Sequence, residues 1–84
     1  MSVVVPLKTP IQINGVDVNE LTFKEPDIGD LIAGEMVGKT QGPTAQVAAT
    51  LASMAGVTYQ EFKTIKAKDF MAIDKATTAL MGNE

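Results

Sequence analysis

The chain has 84 residues, 45% of them hydrophobic, and a formal net charge of −3. This length predicts one domain with a modest core. Cysteine, histidine and arginine are all absent, which removes the thiolate nucleophile, the usual general base and metal ligand, and the guanidinium fork that binds phosphate. We therefore expect no catalytic site, no cofactor or metal, and no nucleic-acid partner.

The sequence contains no membrane or export signal. No apolar run approaches the ~18–20 residues of a transmembrane helix. The opening residues, MSVVVPLKTP, have neither a basic leader nor an extended apolar segment. A cytosolic protein without membrane contact is the resulting expectation.

A β-hairpin is predicted over about residues 3–24. The first strand, 3–13, is rich in β-branched residues but contains Pro6 and Pro10, which cannot donate to a strand ladder and indicate an edge strand. Asn14-Gly15 is typical of a type I′ turn, which joins two strands directly. The second strand is expected over 16–24.

The turn also predicts the strand register. It defines two cross-strand pairs on one face, Ile13 with Val16 and Ile11 with Val18. Further along the second strand the apolar positions change from even to odd numbers. A bulge near Asn19-Glu20 would restore the pattern and bring Leu7 opposite Phe23.

Four helices are predicted after the hairpin, at about residues 27–38, 43–56, 59–65 and 67–81. Asp27 or Asp30 is suited to cap the first helix. Its apolar residues recur at helical spacing and predict an amphipathic stripe, formed by Ile28, Leu31, Ile32 and Met36.

The later helices have clear end signals. Pro43 is a favourable first helical residue, and Gly56 is suited to the left-handed position that ends the second helix. Thr58 and Glu61 form a capping-box pattern before the third helix. Gly82 is expected to end the last helix.

Residues 33–40, AGEMVGKT, match the loose form of the phosphate-loop pattern. Such a loop follows a strand and opens a helix, whereas the segment before it, EPDIGDLI, begins a helix and Gly42-Pro43 follows almost at once. We therefore predict a helix C-terminus, with Gly38 in the left-handed cap and Lys39 near the negative end of the helix dipole.

The combined prediction is an α+β fold, with an N-terminal β-hairpin followed by a small bundle of three to four helices in a single domain over residues 1–84. The expected core residues are apolar and share the inward phase of their elements. They are Ile11, Ile13, Val16, Val18, Phe23, Leu31, Ile32, Leu51, Phe62, Ile65, Phe70, Ile73 and Leu80.

Two other groups of side chains bear on binding. Asp27, Asp30 and Glu35 could hold a hard cation, but the ordered calcium-loop pattern is missing and acidic residues in a first turn complement the helix dipole.

Methionine adapts to irregular surfaces. Met36 is expected to fill a core gap, whereas Met71 lies about 100° around its helix from inward Phe70 and is expected to be exposed.

Several motifs together resemble a known family. They are Leu21-Thr22-Phe23-Lys24-Glu25-Pro26, Gly29-Asp30-Leu31, Leu51-Ala52-Ser53-Met54-Ala55-Gly56-Val57 and Asp69-Phe70. Their order and spacing, over residues 5–82, resemble the phage tail assembly chaperones of contractile-tailed, Mu-like phages.

The resemblance implies a non-enzymatic helper that acts in the host cytoplasm. Such chaperones bind the tape measure protein, an elongated and aggregation-prone helical protein, until tail tube protein polymerises around it, and they are absent from the mature virion. Many exist in two lengths through a ribosomal frameshift, and this chain could be the short form.

Two other functions are compatible with the sequence. The chain could be a structural or adaptor component retained in the phage tail. A helix-turn-helix module is a further alternative, since helices 43–56 and 59–65 are joined by a short glycine-containing turn. The acidic net charge and the lack of arginine argue against nucleic-acid binding.

For the chaperone function, the Ala-rich helix at 45–55 is the predicted floor of a helix-binding site. Its adaptable walls are predicted to be Met54, Met71, Leu80 and Met81. The acidic face around Asp27, Asp30 and Glu35 is the alternative site. Homo-oligomers are also expected at high concentration, because the second strand leaves an open edge.

Overall fold

The computed structural model describes residues 1–82, so the last two residues of the predicted domain lie outside it. The fold is α+β, as predicted, with an antiparallel two-stranded hairpin followed by helices. The elements are β1 (Ser2–Ile13), β2 (Val16–Lys24), α1 (Ile28–Gln41), α2 (Pro43–Ala55), α3 (Tyr59–Phe62), α4 (Ala67–Thr77) and a final 3₁₀ turn, Thr78–Met81.

The predicted turn and the pairs next to it are confirmed. Asn14 and Gly15 have φ of 53° and 77°, and Ile13 pairs with Val16 as Ile11 does with Val18. The irregularity lies level with Asn19 of β2, near the predicted position, but the extra residues are in β1, between Pro6 and Ile11, and not in β2. Consequently Val3, not Leu7, is paired with Phe23.

Asp69 explains how β1 tolerates this irregularity. Residues of β1 that leave the ladder need other partners for their N–H groups. The Asp69 carboxylate, in the first turn of α4, accepts hydrogen bonds from the backbone N–H of Lys8 and of Thr9, each at 3.0 Å. These two bonds lower the pKa of the buried Asp69 carboxyl below its ordinary value. The irregular segment is therefore fixed by a helix distant in sequence.

Helices α1 and α2 form a close-packed pair joined through Gly42 alone. Gly42 has φ of 97°, so it makes the turn that was predicted for Gly38. Gly38 instead lies within α1 against the Gln46 side chain, and Gly34 lies against Thr50 and the Gln46 carbonyl. The small residues of α1 thus face α2 and allow the two backbones to approach closely.

This close approach predicts an unusual effect for Gly34→Ala. Replacing a mid-helix glycine by alanine ordinarily stabilises a helix by up to about 1 kcal/mol. Here the new Cβ would lie 2.8 Å from the Gln46 carbonyl oxygen and would overlap the Thr50 hydroxyl. We expect a loss of about 1–3 kcal/mol, the usual cost of overpacking, measured by urea unfolding.

Gly29→Ala is the matched control, because a Cβ there would meet only the Asp27 side chain, at 3.2 Å. It should change stability by much less than Gly34→Ala does. A Gly34→Ala variant more stable than the wild type would show that α1 and α2 can separate at no cost.

The core lies between the hairpin and the helices, with β2 packed on α2 and β1 on α4. Phe62 is at its centre, in edge-to-face contact with Phe23 and Phe70 at centroid distances of 6.4 and 6.2 Å. The buried apolar cluster consists of Val5, Leu7, Ile11, Leu21, Phe23, Leu51, Ala52, Met54, Phe62, Ile73 and Leu80.

The prediction of a core position is wrong for three residues, because Val16, Leu31 and Ile32 are exposed. Val16 lies beside the hairpin turn, at the end of the sheet. Ile32 lies on the side of α1 opposite its glycines, and Leu31 lies at the edge of the glycine side, where it is 46% exposed. Of the other predicted core residues, four are only partly buried at the edge of the core, Ile13, Val18, Ile65 and Phe70.

The predicted helix ends are largely confirmed. Asp27 caps α1 in a reciprocal capping box with Asp30, and Thr58 and Glu61 form the same arrangement at α3. Gly56 ends α2 with φ of 71° and Gly82 ends the 3₁₀ turn with φ of 82°. Helix α1 continues to Gln41, beyond the predicted end, and α3 is shorter than predicted.

Among the described residues, no helix has the length and apolar character needed to cross a bilayer.

Candidate functional site: two apolar surfaces

The first surface is the exposed apolar side of α1, which we call the α1 face. It is formed by Ile28, Leu31, Ile32 and Met36, whose exposed fractions are 72%, 46%, 53% and 68%. Leu31 and Ile32 were predicted core residues, and Met36 was expected to fill a core gap. They lie outside because α1 uses its glycines to contact α2, which leaves the large residues on the solvent side.

The second surface is a groove between α2, α3 and the start of α4, which we call the α2–α4 groove. It encloses about 410 Å³. Ala45 and Ala48 of α2 form its floor, and aromatic side chains of Tyr59, Phe62 and Phe70 line its walls. Short side chains beneath aromatic walls give a concave apolar surface, the form in which amphipathic helices are commonly bound.

Polar groups lie at the margin of this groove. The Tyr59 hydroxyl donates a hydrogen bond to Gln41 Oε1 at 2.9 Å. The Lys63 ammonium lies 5.1 Å from the centre of the Tyr59 ring, a cation–π distance. Beside the groove is a smaller depression of about 240 Å³, which shares Thr44 and Phe70 with it and includes Asp74.

The four predicted binding residues are not brought together on one surface. Met54 and Leu80 are buried in the core, Met81 is half-buried at the end of the 3₁₀ turn, and Met71 is 72% exposed, as predicted for it. Met71 lies one helical turn after Ala67, which lines the α2–α4 groove, so it is at the groove's margin. Met36, expected in the core, is exposed on the α1 face.

Sequence reasoning identified the alanine floor but not the aromatic walls. The walls combine residues from α3 and α4, two elements whose relative position depends on the tertiary packing. The one available signal was the capping box of Thr58 and Glu61, which sets the start of α3 and therefore the placement of Tyr59 and Phe62.

The buried Asp30 carboxylate, near the start of the α1 face, has a structural role. It accepts hydrogen bonds from the Lys24 ammonium and the Ser53 hydroxyl, each at 2.5 Å, and from the Asp27 backbone N–H at 2.9 Å. Burial raises the pKa of Asp30, but these three bonds outweigh burial and lower the pKa to about 2. Asp30 thereby ties β2, α1 and α2 together.

The residues that match nucleotide-binding and metal-binding patterns belong to helix α1 or to its N-terminal cap. Residues 33–40 lie inside this helix and form no loop. Asp27 and Asp30 cap it, as the dipole argument predicted. Within residues 1–82, no three potential metal ligands come close enough together to hold an ion.

The chain matches the model of a known protein family. The model of the family described as "Phage tail assembly chaperone proteins, E, or 41 or 14" matches residues 4–82. Searches of curated proteins and of solved structures gave no significant match. The motifs noted above have defined positions in the fold, including Lys24 and Asp30 in an ion pair and Asp69 at β1. Because the match spans nearly all of the chain, this protein belongs to the phage tail assembly chaperone family.

Proposed function

We propose that this tail assembly chaperone binds a helical segment of the tape measure protein in the α2–α4 groove and keeps it soluble until tail tube protein polymerises around it. Family membership supports the role in tail assembly. The single observation that supports this mode of binding is the groove itself, with its alanine floor and aromatic walls.

The dimensions and lining of the groove suit one face of a helix. Side chains as small as those of Ala45 and Ala48 allow a bound helix to approach the α2 backbone closely. The Tyr59 and Phe70 rings provide large apolar contact area with few rotatable bonds, so little side-chain entropy is lost on binding. An amphipathic segment with apolar residues at helical spacing would fill this space.

Met71 and Met81 are proposed as additional contacts at the margin of the site. Met71 is exposed, and its flexible side chain could follow partner helices of different shapes. Met54 and Leu80 belong to the core, so in this conformation they would act by supporting the helices that form the groove rather than by touching the partner.

We further propose that the chaperone acts in the host cytoplasm and is displaced before the virion is complete. Since a tape measure protein is long, several copies could bind along it, and weak individual contacts would then add up through avidity. Mass spectrometry of purified virions and of the infected lysate distinguishes this proposal from a retained tail component, which would be present in both.

The groove is tested by co-expression with an affinity-tagged tape measure protein and pull-down. Ala45→Glu places a charge on the groove floor while keeping a good helix former, and Met71→Asp places one at the margin. We expect each variant to remain folded by circular dichroism and to lose co-purification, because a buried unpaired carboxylate disfavours an apolar partner.

Val16→Asp is the matched control. Val16 is 62% exposed beside the hairpin turn and lines neither surface, so the variant should bind normally. If Ala45→Glu and Met71→Asp still retain the tape measure protein, the groove is not its site. Loss of binding in Met36→Asp alone would assign the tape measure protein to the α1 face.

A further inference from the structure

Two charged side chains border the apolar site between α2 and α4. The α2–α4 groove and the smaller depression beside it share Thr44 and Phe70, so together they form one continuous surface, which we call the extended groove. Of residues 1–82, Lys63 is the one charged residue that lines the groove, and Asp74 is the one that lines the depression. The extended groove is therefore basic at its α3 end and acidic toward the C-terminal end of α4.

Neither charge is neutralised by a neighbour within the part of the chain that the structure describes. The ion pairs among residues 1–82 lie at the start of the hairpin and of α1, and they involve neither Lys63 nor Asp74. The carboxylates of Glu61 and Asp69, the nearest to Lys63 in sequence, each accept two hydrogen bonds from backbone N–H groups. Lys63 and Asp74 therefore remain available to a bound partner.

The other lysines of this region face away from the extended groove. Lys68 and Lys75 each follow a lining residue of α4 and so lie about 100° around the helix from the groove side. Lys66 lines a separate crevice against β1. Helix α2, on the other side of the groove, contains no charged residue. Asp74 is thus the charge that a ligand meets at its end of the site.

Contacts with Tyr59 position Lys63 at the opposite end. The Lys63 ammonium lies 5.1 Å from the centre of the Tyr59 ring, and this ring is oriented by the hydrogen bond from its hydroxyl to Gln41 Oε1. A lysine that already rests on an ordered ring loses less side-chain entropy on binding than a fully mobile one. Lys63 is therefore prepared to pair with a ligand that lies against Tyr59.

Building on the function proposed above, we propose that the extended groove selects an amphipathic helix with an acidic residue at one end of its apolar stripe and a basic residue at the other. The acid pairs with Lys63 and the base with Asp74. Ala67, which lines the groove with Lys63, precedes Asp74 by seven residues, or about 10.5 Å of helix. In a partner that lies along α4, the two charges are accordingly about two helical turns apart.

The charge pairs supply a property that the apolar lining lacks. Burial of apolar surface is non-directional, so a groove of alanines and aromatic rings alone accepts a helix in either direction and at several registers. A charge pair at each end fixes one direction and one register, and it disfavours helices with like charges at those positions. The chaperone can thereby distinguish particular segments of the tape measure protein from other apolar helices.

Three designed helical peptides with the same apolar stripe test this selection. The mixed peptide has Glu and Lys seven residues apart at the ends of the stripe, the second has Glu at both positions, and the third has Lys at both. By fluorescence anisotropy at low salt, we expect the wild type to bind the mixed peptide about threefold or more tightly than either other peptide, because exposed charge pairs are individually weak. Added salt should reduce this preference.

Charge reversal in the chaperone should change the preference in a defined way. Lys63→Glu should favour the peptide with Lys at both positions, and Asp74→Lys should favour the peptide with Glu at both. The combined variant should again favour the mixed peptide, bound in the opposite direction. Lys75→Glu is the matched control, since it changes the net charge as Lys63→Glu does but lies outside the extended groove, so it should retain the wild-type preference.

Three results would overturn this selection by charge. One is equal binding of the three peptides by the wild type, and another is binding of none of them. The third is a change of preference in Lys75→Glu as large as that in Lys63→Glu, which would make net charge, not position, the cause. Pull-down of the tape measure protein by Ala45→Glu tests the groove independently of peptide charge. Its loss together with equal peptide binding would leave the proposed function intact and remove only the charge selection.

Discussion

Asp30→Ala is expected to lower the free energy of unfolding by about 3 kcal/mol, since hydrogen bonds to a charged group contribute roughly 1.5–3 kcal/mol each and are not additive. The buried carboxylate accepts three such bonds, from Lys24, Ser53 and the Asp27 N–H. Its loss would also remove half of the capping box that begins α1. Lys24 is half exposed, so its ammonium can return to water, which keeps the loss below that of a stranded buried charge.

The pH dependence provides a specific signature for Asp30. Its pKa is lowered from 3.8 to about 2 in the folded protein. A carboxyl with a lowered folded pKa stabilises the protein fully above its unfolded pKa, and this contribution is lost as pH falls through the folded value. Wild-type stability should therefore decrease between about pH 4 and pH 2. Asp69 and Glu61, whose pKa values are also lowered, add to the decrease.

Urea unfolding of the wild type and of Asp30→Ala at several pH values measures both effects. The variant should be less stable at pH 7 and should lose less stability on acidification, so the two curves converge toward pH 2. Asp74→Ala, which removes an exposed carboxylate of α4, is the control and should follow the wild type. Parallel curves for wild type and Asp30→Ala would show that the Asp30 network does not stabilise the fold.

Leu51→Ala is expected to cost about 2–5 kcal/mol, the range for truncating a buried leucine. Leu51 is 1% exposed and belongs to the central apolar cluster. Its truncation would leave a cavity where α2 meets the hairpin. This is a large part of the stability of a small domain.

Val47→Ala is a matched control on the same helix, one turn earlier and 41% exposed. Its effect should stay near the 0.5 kcal/mol typical of surface substitutions. Chemical unfolding of both variants, monitored by circular dichroism, measures the difference. Equal and small losses would mean that Leu51 does not support the core.

Local features of the fold were predictable from sequence because their causes are local. Asn14-Gly15 can adopt positive φ at both positions, which fixed the hairpin turn and the pairs beside it. Thr58 and Glu61 satisfy each other's backbone N–H groups within four residues, so α3 begins where its capping box indicated. Pro43 and Gly56 likewise define the ends of α2.

Which strand carries the extra residues of the bulge was not predictable from the two strands alone. A shift in the apolar phase of β2 can be absorbed in either strand. The choice of β1 depends on Asp69, which accepts the N–H groups of Lys8 and Thr9 from the other end of the chain. Nothing in residues 3–24 indicates that partner.

The side of α1 that is buried was mispredicted for a related reason. Apolar periodicity identifies a stripe, but two stripes were present, one of large residues and one containing Gly34 and Gly38. The glycine stripe is the buried one because it lets the α1 backbone approach Gln46 and Thr50 closely. Ile28 and Met36 are therefore exposed.

For the candidate site, the alanine floor followed from composition, whereas the aromatic walls depend on the packing of α3 and α4.

The bonds from Lys8 and Thr9 to Asp69 also bear on the order in which the chain acquires its structure during synthesis. They span sequence separations of 61 and 60 residues, whereas the hairpin and the α1–α2 pair each join elements adjacent in the chain. Short-range contacts close quickly, and long-range ones wait for the later segment. The hairpin can form while the ribosome is still adding α2, but the N–H groups of its irregular segment are bonded to water and lack their protein partner until α4 has emerged. A nascent chain therefore holds an incomplete sheet edge for most of its translation, and α4 is the segment that completes it.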